Sequence, residues 1–446
     1  MKRDQWIVLA VGICLVLGSC GTALYAAEDT KTPSGLIAAE GEKPSVVKEL
    51  SLDDCINVAL RNHGDVLVSE QSVVGAKARY TEAKSDYFPS ISVQNTPISV
   101  SGGLATNNVT TKGTSISINQ NIFDSGLRES NVKQALFTMK SNEAALLRQQ
   151  QTTTFNVINA YYQALLTKHL AEVQEANVKY LEGQQELIHT RAEVGDAAQV
   201  DVLPVEAQLA TAKVQQLAAK NAIRTALIDL QNVMGLHPSG DFTIRDIGAS
   251  PKEVLDSLDK YQTLALTSRP DIAQNASTIK AAKAAEQSAK INLFPHLIVN
   301  GQYGNRLDKT TLQDWSITGG LAFNLFDGGK TRAVYQQTQA AVKSAEIQNA
   351  QLAKDIEKQV QEAYLNLTSA QESLDATVIS LQASQKNYEA QEARYKEGLA
   401  TPLDLLNAQL QVTTAQSDAV KARYAYYTAK AQLNYAIGKQ GGLNGK

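Results

Sequence analysis

Cysteine and methionine are both scarce in this sequence, and each scarcity excludes a class of protein. The 446 residues include three cysteines and three methionines. Cys14 and Cys20 lie within or at the edge of the apolar N-terminal segment, so Cys55 alone remains in the body of the chain. A disulfide-stapled fold is therefore excluded, and the few methionines offer no thioether-lined path for soft metal ions.

A surplus of one charge is also missing, and so are the common catalytic motifs. The 42 basic and 45 acidic side chains give a formal net charge of −3, which argues against nucleic-acid binding. The sequence has no His-Glu-x-x-His, Gly-x-Ser-x-Gly, phosphate-binding loop or Cys-x-x-Cys. Its histidines are scattered, so we expect no metal, no cofactor and no enzymatic activity. An enzyme on a helical frame is the least supported function class.

The N-terminus has the pattern of an export signal, which we place at residues 1–26. Lys2 and Arg3 precede an apolar run from Trp6 to Leu17. Ordinary cleavage after Ala26 is one interpretation. The other is lipoprotein-type cleavage before Cys20, which would make Cys20 a lipid anchor. Beyond the signal no apolar run reaches the roughly 20 residues that a membrane-spanning helix needs.

The rest of the chain is a tandem duplication. Landmarks recur in the same order: Asp65 and Asp271, Phe88-Pro89 and Phe294-Pro295, Phe123-Asp124 and Phe326-Asp327, Tyr161 and Tyr364, Gly195 and Gly398, Gly235 and Gly438. This self-similarity predicts two structural repeats, at residues 51–238 and 258–438. A leader (27–50), a connector (239–257) and a short tail (439–446) account for the remainder.

Each repeat contains a proline-free stretch rich in Ala, Gln, Glu, Lys and Leu, from Leu127 to Glu193 and from Lys330 to Glu397. These stretches predict helices about 100 Å long. Apolar residues spaced by alternating fours and threes predict a coiled-coil seam at Ile356, Val360, Ala363, Leu367, Ala370 and Leu374. A second helix runs back from each turn, from Gln199 to Met234 and from Pro402 to Ile437. Each repeat therefore predicts a long helical hairpin, preceded by a shorter helix at Asp65–Asp86 or Asp271–Asn292.

Between the helices, apolar and polar residues alternate over two stretches in each repeat, which predicts four amphipathic strands. Examples are Ile91 and Val93 beside Ser92, and Trp315 and Ile317 beside Ser316. Four strands cannot close a barrel, so several chains would have to share one. The alternative is a water-soluble sandwich whose apolar face is its core. Aromatic residues suited to a membrane interface accompany the strands, namely Phe88, Phe123, Phe294, Tyr303, Trp315 and Phe326.

The chain resembles the TolC family of bacterial outer-membrane efflux channels. The resemblance extends from about Ser51 to Gly438, and it rests on the order of the elements, the Arg269-Pro270-Asp271-Ile272 segment and the two glycine turns. The resemblance implies a mainly helical fold with a small β portion. Three chains would give four strands each to a shared twelve-stranded transmembrane barrel above a periplasmic tunnel. It also implies passive conduction in the outer membrane of a Gram-negative bacterium, with a periplasmic adaptor protein and an inner-membrane transporter as partners. An exported coiled-coil scaffold without a pore is the alternative.

The resemblance also identifies candidate gate residues near the hairpin turns. Asp404 matches the first acid of the family's periplasmic constriction, although Asn407 stands where well-known members carry a second acid. Its position three residues after Thr401 equally suits a helix-capping role. Tyr395 matches a tyrosine that holds the closed state, and packing is its alternative role. Asp201 is the counterpart of Asp404 in the first repeat.

The turns themselves correspond to the surfaces that contact the adaptor in the family. The candidate docking residues are Val194 and Gly195 in the first repeat and Gly398 and Leu399 in the second. Both glycines also suit the end of a helix. Leu399 is the better candidate because its counterpart, Asp196, is polar.

Overall fold

The fold is built from two long helical hairpins and one small antiparallel sheet. The computed structural model describes residues 49–103, 106–194, 198, 200, 202–237, 242–248, 254–306 and 313–439. The elements in chain order are β1 (Glu49–Leu50), α1 (Leu52–Asn62), α2 (Gly64–Ser85), β2 (Ser90–Gly103), β3 (Thr106–Phe123), α3 (Leu127–Glu193), α4 (Val202–Val233), β4 (Thr243–Ile244), α5 (Leu258–Ser268), α6 (Pro270–Ile291), β5 (His296–Arg306), β6 (Gln313–Ala322), α7 (Lys330–Lys396) and α8 (Pro402–Ala436). We call the α3–α4 pair hairpin 1 and the α7–α8 pair hairpin 2.

The two longest helices, α3 and α7, each have 67 residues and lie where the sequence predicts them. The repeated Phe-Asp-x-Gly landmark starts both. Asp124 accepts hydrogen bonds from the backbone N–H groups of Gly126 and Arg128, each at 3.2 Å. Asp327 binds the equivalent N–H groups of Gly329 and Thr331 at 3.0 and 2.8 Å. Each carboxylate thus satisfies free N–H groups at a helix N-terminus.

Glycines end α4, α7 and α8, as the sequence predicts. Gly235, Gly398 and Gly438 have φ values of +72°, +72° and +77°, in the left-handed region that glycine adopts without strain. The following residue closes a Schellman-type bond at each end, for example Leu399 N to Arg394 O at 2.8 Å. The described part of α4 begins at Val202, whereas the predicted start, Gln199, lies outside the described residues. Pro204 consequently lies in the first turn, where its missing N–H costs no intrahelical bond.

The main hydrophobic core joins the two hairpins at the level of the short helices. It includes Tyr161 and Leu165 of α3, Leu230 of α4, Val360 of α7 and Tyr426 of α8. The predicted seam of α7 is confirmed, since Ile356, Val360, Ala363 and Leu367 are all buried. Ala370 and Leu374 are partly buried against the same core.

Arg269, the first residue of the landmark segment, holds the C-terminal end of α8. Its side chain is buried and donates to the Asp271 carboxylate from both Nε and Nη2. It also donates to Gln359 Oε1 at 2.9 Å and to the Ala436 carbonyl at 3.1 Å. A helix C-terminus has carbonyl groups without intrahelical partners and a partial negative charge. The Arg269 guanidinium supplies both a hydrogen-bond donor for a free carbonyl and a positive charge that complements the helix dipole.

The four long strands form one sheet in the order β2-β3-β5-β6, with antiparallel neighbours. Their register places like residues in rows. Ile91, Ile118, Tyr303 and Trp315 form an apolar row, and the adjacent polar row contains Ser90, Asn119, Gln302 and Ser316. The predicted alternation is therefore confirmed. None of the helices in the described part of the chain is both long and apolar enough to cross a bilayer.

Candidate gate and docking surfaces

The turn of hairpin 2 is built by a glycine stop followed by a capping box. Gly398 ends α7, and Thr401 caps α8. Asp404 Oδ2 accepts hydrogen bonds from Thr401 N at 2.9 Å and Thr401 Oγ1 at 2.7 Å, while Asp404 N donates to Thr401 Oγ1 at 3.2 Å. The predicted capping role of Asp404 is confirmed.

The carboxylate of Asp404 remains available to solvent despite this role. Hydrogen bonds from the Thr401 hydroxyl and backbone lower the pKa of Asp404, and the positive charge of Arg394 acts in the same direction. A lowered pKa keeps the side chain ionised at neutral pH. The turn therefore presents a fixed negative charge at its surface.

Tyr395, one turn before Gly398, connects the two hairpins. Arg191 of α3 donates a hydrogen bond from Nη1 to the Tyr395 hydroxyl at 3.2 Å. The Arg191 guanidinium also lies 5.2 Å from the centre of the Tyr395 ring, within the range of a cation–π interaction. Sequence reasoning did not find Arg191, because a basic residue in the last turn of a helix is already explained by the helix dipole.

The turn of hairpin 1 is described only in part. Val194 is 74% exposed beside it, and Leu399 is 69% exposed beside the turn of hairpin 2. Large apolar side chains at both turns therefore face solvent in the single chain. Gly195 and Asp201, which we predicted as a docking and a gate residue, lie outside the described residues, as does Cys20.

The aromatic residues assigned to the membrane interface all have exposed side chains. Trp315 is 73% exposed at the β6 end of the apolar row, and the others lie on the strands or at the helix–strand junctions: Phe88, Phe123, Phe294, Tyr303 and Phe326. Ile91, Val93, Ile317 and Leu321 are exposed as well. No second layer covers this face of the sheet among the described residues, which is the opposite of a soluble sandwich core.

Comparison with known proteins identifies the family. A family model described as outer membrane efflux protein matches residues 55–236 and 262–439. The chain belongs to this family. Its predicted resemblance to TolC-like channels is therefore confirmed, and the scaffold without a pore is not favoured. Family membership places the protein in the outer membrane of a Gram-negative bacterium.

Individual relatives show how far this similarity extends. The chain is 26% identical over 383 residues to the outer membrane efflux protein BepC of Brucella suis, covering 84% of this chain and 80% of BepC. It is 26% identical over 457 residues to CyaE of Bordetella pertussis, covering 97% and 93%. The solved CmeC outer membrane channel of Campylobacter jejuni has the same fold, with a TM-score of 0.76 at 15% identity, over 91% and 90% of the two chains.

Proposed function

We propose that this protein is a passive exit duct across the outer membrane and periplasm. The observation that carries the proposal is the uncovered apolar row of the sheet, with Trp315 and Ile91 at its outer strands. A contiguous apolar surface of this kind is rarely exposed to water in a folded protein. Contact with membrane lipid would cover it, as on the outer face of a transmembrane β-barrel. The polar row on the opposite face suits a water-filled lumen.

We propose a homotrimer, and the open edges of the sheet support assembly with further copies of the chain. β2 and β6 each pair with one neighbour only within the described sheet. Unpaired backbone groups are costly in a membrane, so the edges need strands from further copies. Three copies with four strands each would close a twelve-stranded barrel, which is the assembly implied by the family.

The partners we propose are a periplasmic adaptor protein and an inner-membrane transporter. Support comes from the names of relatives: a toluene efflux pump outer membrane protein and an alkaline protease secretion protein both match this chain. The exposed Val194 and Leu399, together with Gly195 and Gly398, would form the surface that meets the adaptor. Since these relatives are named for cargoes as different as a solvent and a protein, we assign no substrate.

We propose that Asp404 and Tyr395, with Asp201 as the first-repeat counterpart, form the gate. Symmetry-related Asp404 carboxylates converging on one axis would attract cations and repel anions. The Arg191–Tyr395 contact would hold the hairpins together in the closed state. A part-buried cation–π pair with one hydrogen bond contributes only about 1–2 kcal/mol, which is small enough for the contact to break during opening.

Single-channel conductance in a planar bilayer tests the duct and the gate together. We expect wild-type protein to give reproducible steps, and Asp404→Ala to lower the preference for cations. Thr401→Ala is the matched control, because it breaks the same capping box while keeping the carboxylate. Equal selectivity in wild type and Asp404→Ala would leave Asp404 as a capping residue, and a soluble protein that never conducts would refute the duct.

A further inference from the structure

The two hairpins are held together differently near the main core and near their turns. Within the main core, α3 contributes Val157, Tyr161 and Leu165, and it packs against residues of both α7 and α8. Ring contacts join the same helices, with Phe155 stacked on Tyr435 at 4.7 Å between centroids. Hydrophobic burial therefore holds hairpin 2 against α3 at this level.

Closer to the turns, the hydrophobic clusters mainly hold hairpin 1 to itself. One cluster consists of Val178 and Leu181 of α3 with Leu209 and Ala212 of α4, and the partly buried Leu406 of α8 packs against it. The next consists of Ile188 with Val202 and Val205, again from α3 and α4. Apart from Leu406, the described side-chain contacts between the hairpins are polar or aromatic here, namely Tyr180 with Tyr388 and Arg191 with Tyr395.

A buried polar pair lies where the contacts between the hairpins change from mainly hydrophobic to mainly polar or aromatic. Thr413 Oγ1 of α8 donates a hydrogen bond to Asn177 Oδ1 of α3 at 3.2 Å, and both residues are buried. A buried polar pair in a helical seam stabilises one register, because a slip removes the Thr413 hydroxyl from the buried Asn177 amide oxygen. Thr413 Oγ1 would keep the Gln409 carbonyl of its own helix, at 3.1 Å, as a partner. Asn177 lies about 25 Å from Val194, at about 1.5 Å of helix rise per residue.

We infer that the Asn177–Thr413 pair is the point at which opening of the seam stops. Hairpin 2 separates from α3 between this pair and the turns, where the described contacts between the hairpins are mainly polar or aromatic. From the pair to the main core the hairpins stay packed, and the hydrogen bond keeps their register. Asn177 and Thr413 are thus positioning residues for the gate, and this inference rests on the proposed function.

Reducible cross-links at two depths test the inference in bilayer conductance. The first variant is Arg191→Cys with Tyr395→Cys, treated with a bifunctional thiosulfonate. Before cross-linking, this variant lacks both side chains of the Arg191–Tyr395 contact. We therefore expect its ratio of open to closed channel time to be roughly fivefold to tenfold higher than that of wild type. Cross-linking should return the ratio to the wild-type value, and reductant should raise it again.

The second variant places the cross-link at the buried pair, as Asn177→Cys with Thr413→Cys in a Tyr395→Ala chain. We expect it to stay open whether cross-linked or reduced. A matched control links Asn387→Cys to Gln411→Cys within hairpin 2, whose side chains lie 3.2 Å apart, also in the Tyr395→Ala chain. Wild-type protein treated with the same reagent controls for Cys55 and Cys20.

Closure by the Asn177–Thr413 cross-link, with no effect of the control, would overturn the inference, because opening would then extend past the pair. A different result addresses the proposed gate. If all reduced variants conduct like wild type, the Arg191–Tyr395 contact does not hold the closed state. Distances between spin labels then test the seam directly. One pair, at Glu186→Cys and Asn407→Cys, reports on the seam near the turns, and the other, at Gln163→Cys and Lys421→Cys, reports on the seam near the main core. We expect a broader distance distribution for the first pair, and equally narrow distributions for both would also overturn the inference.

Discussion

Gly235→Ala is expected to destabilise the protein more than Gly398→Ala, although both glycines end a helix with φ of +72°. A methyl group at Gly235 would lie 2.6 Å from the carbonyl oxygen of Asn62 and 2.9 Å from the Cα of His63. At Gly398 no described heavy atom lies within 4 Å of the added carbon. The two substitutions therefore share one backbone strain and differ in a single steric conflict.

The magnitudes follow from these distances. Placing an alanine in the left-handed region costs about 1–2 kcal/mol at either position. At Gly235 the α1–α2 junction must also move, because the obstructing atoms are backbone, and overpacking of this kind adds about 1–3 kcal/mol. Gly398→Ala should show the first cost alone.

Thermal loss of the helical circular dichroism signal, measured on detergent-solubilised protein, separates the two variants. Gly235→Ala should have the lower Tm, with Gly398→Ala between it and wild type. Equal Tm values for the two variants would refute the reasoning, since they would show that the α1–α2 junction moves without lowering the free energy of unfolding. If unfolding is irreversible, half-lives at one fixed temperature replace the Tm values.

Three further predictions concern side chains of known environment. Tyr161→Phe should lower the free energy of unfolding by about 1–2 kcal/mol, because its hydroxyl donates to the carbonyls of Arg245 at 2.6 Å and Leu50 at 3.2 Å; chemical denaturation checks this. Burial raises the pKa of the Cys55 thiol to about 12, so maleimide should label it only after unfolding, as mass spectrometry would show. The lowered pKa of Asp404 means that its capping contribution is present above the ordinary carboxyl pKa and is lost as pH falls through the lowered value. Hydrogen exchange in the first turn of α8 should therefore show a loss of protection in acid that Thr401→Ala abolishes.

Sequence reasoning succeeded where the signal is local. The bounds of α3 were predicted because a proline-free run of good helix formers begins after Phe123-Asp124 and ends before a glycine. The Thr401–Asp404 capping box and the strand alternation are equally local. Helix α1 has the same kind of signal, a Ser51–Asp54 capping box, and was missed because the prediction concentrated on the longer helices.

Contacts between distant segments were not predictable in this way. Asn177 and Thr413 are 236 residues apart, and each has an ordinary helical sequence around it. The parallel pairing of β1 with β4 involves two residues from each strand, too few to produce a period. Arg269 was recognised as part of a landmark, but its contact with the end of α8 depends on the tertiary fold.

The repeats share their helix ends but differ in what meets them. A Cβ added at Gly235 would lie 2.6 Å from the Asn62 carbonyl oxygen and 2.9 Å from His63 Cα, whereas one added at Gly438 would lie 2.9 Å from Arg269 Cγ and 3.1 Å from Arg269 Cα. Both helix ends therefore lie against backbone at junctions between other helices, and the end of α8 also meets a charged side chain. Because the Arg269 guanidinium donates to the Ala436 carbonyl at 3.1 Å, it supplies a partner for a carbonyl that lacks an intrahelical one. The Arg269-Pro270-Asp271-Ile272 landmark of the sequence is thus explained by the helix end that it meets.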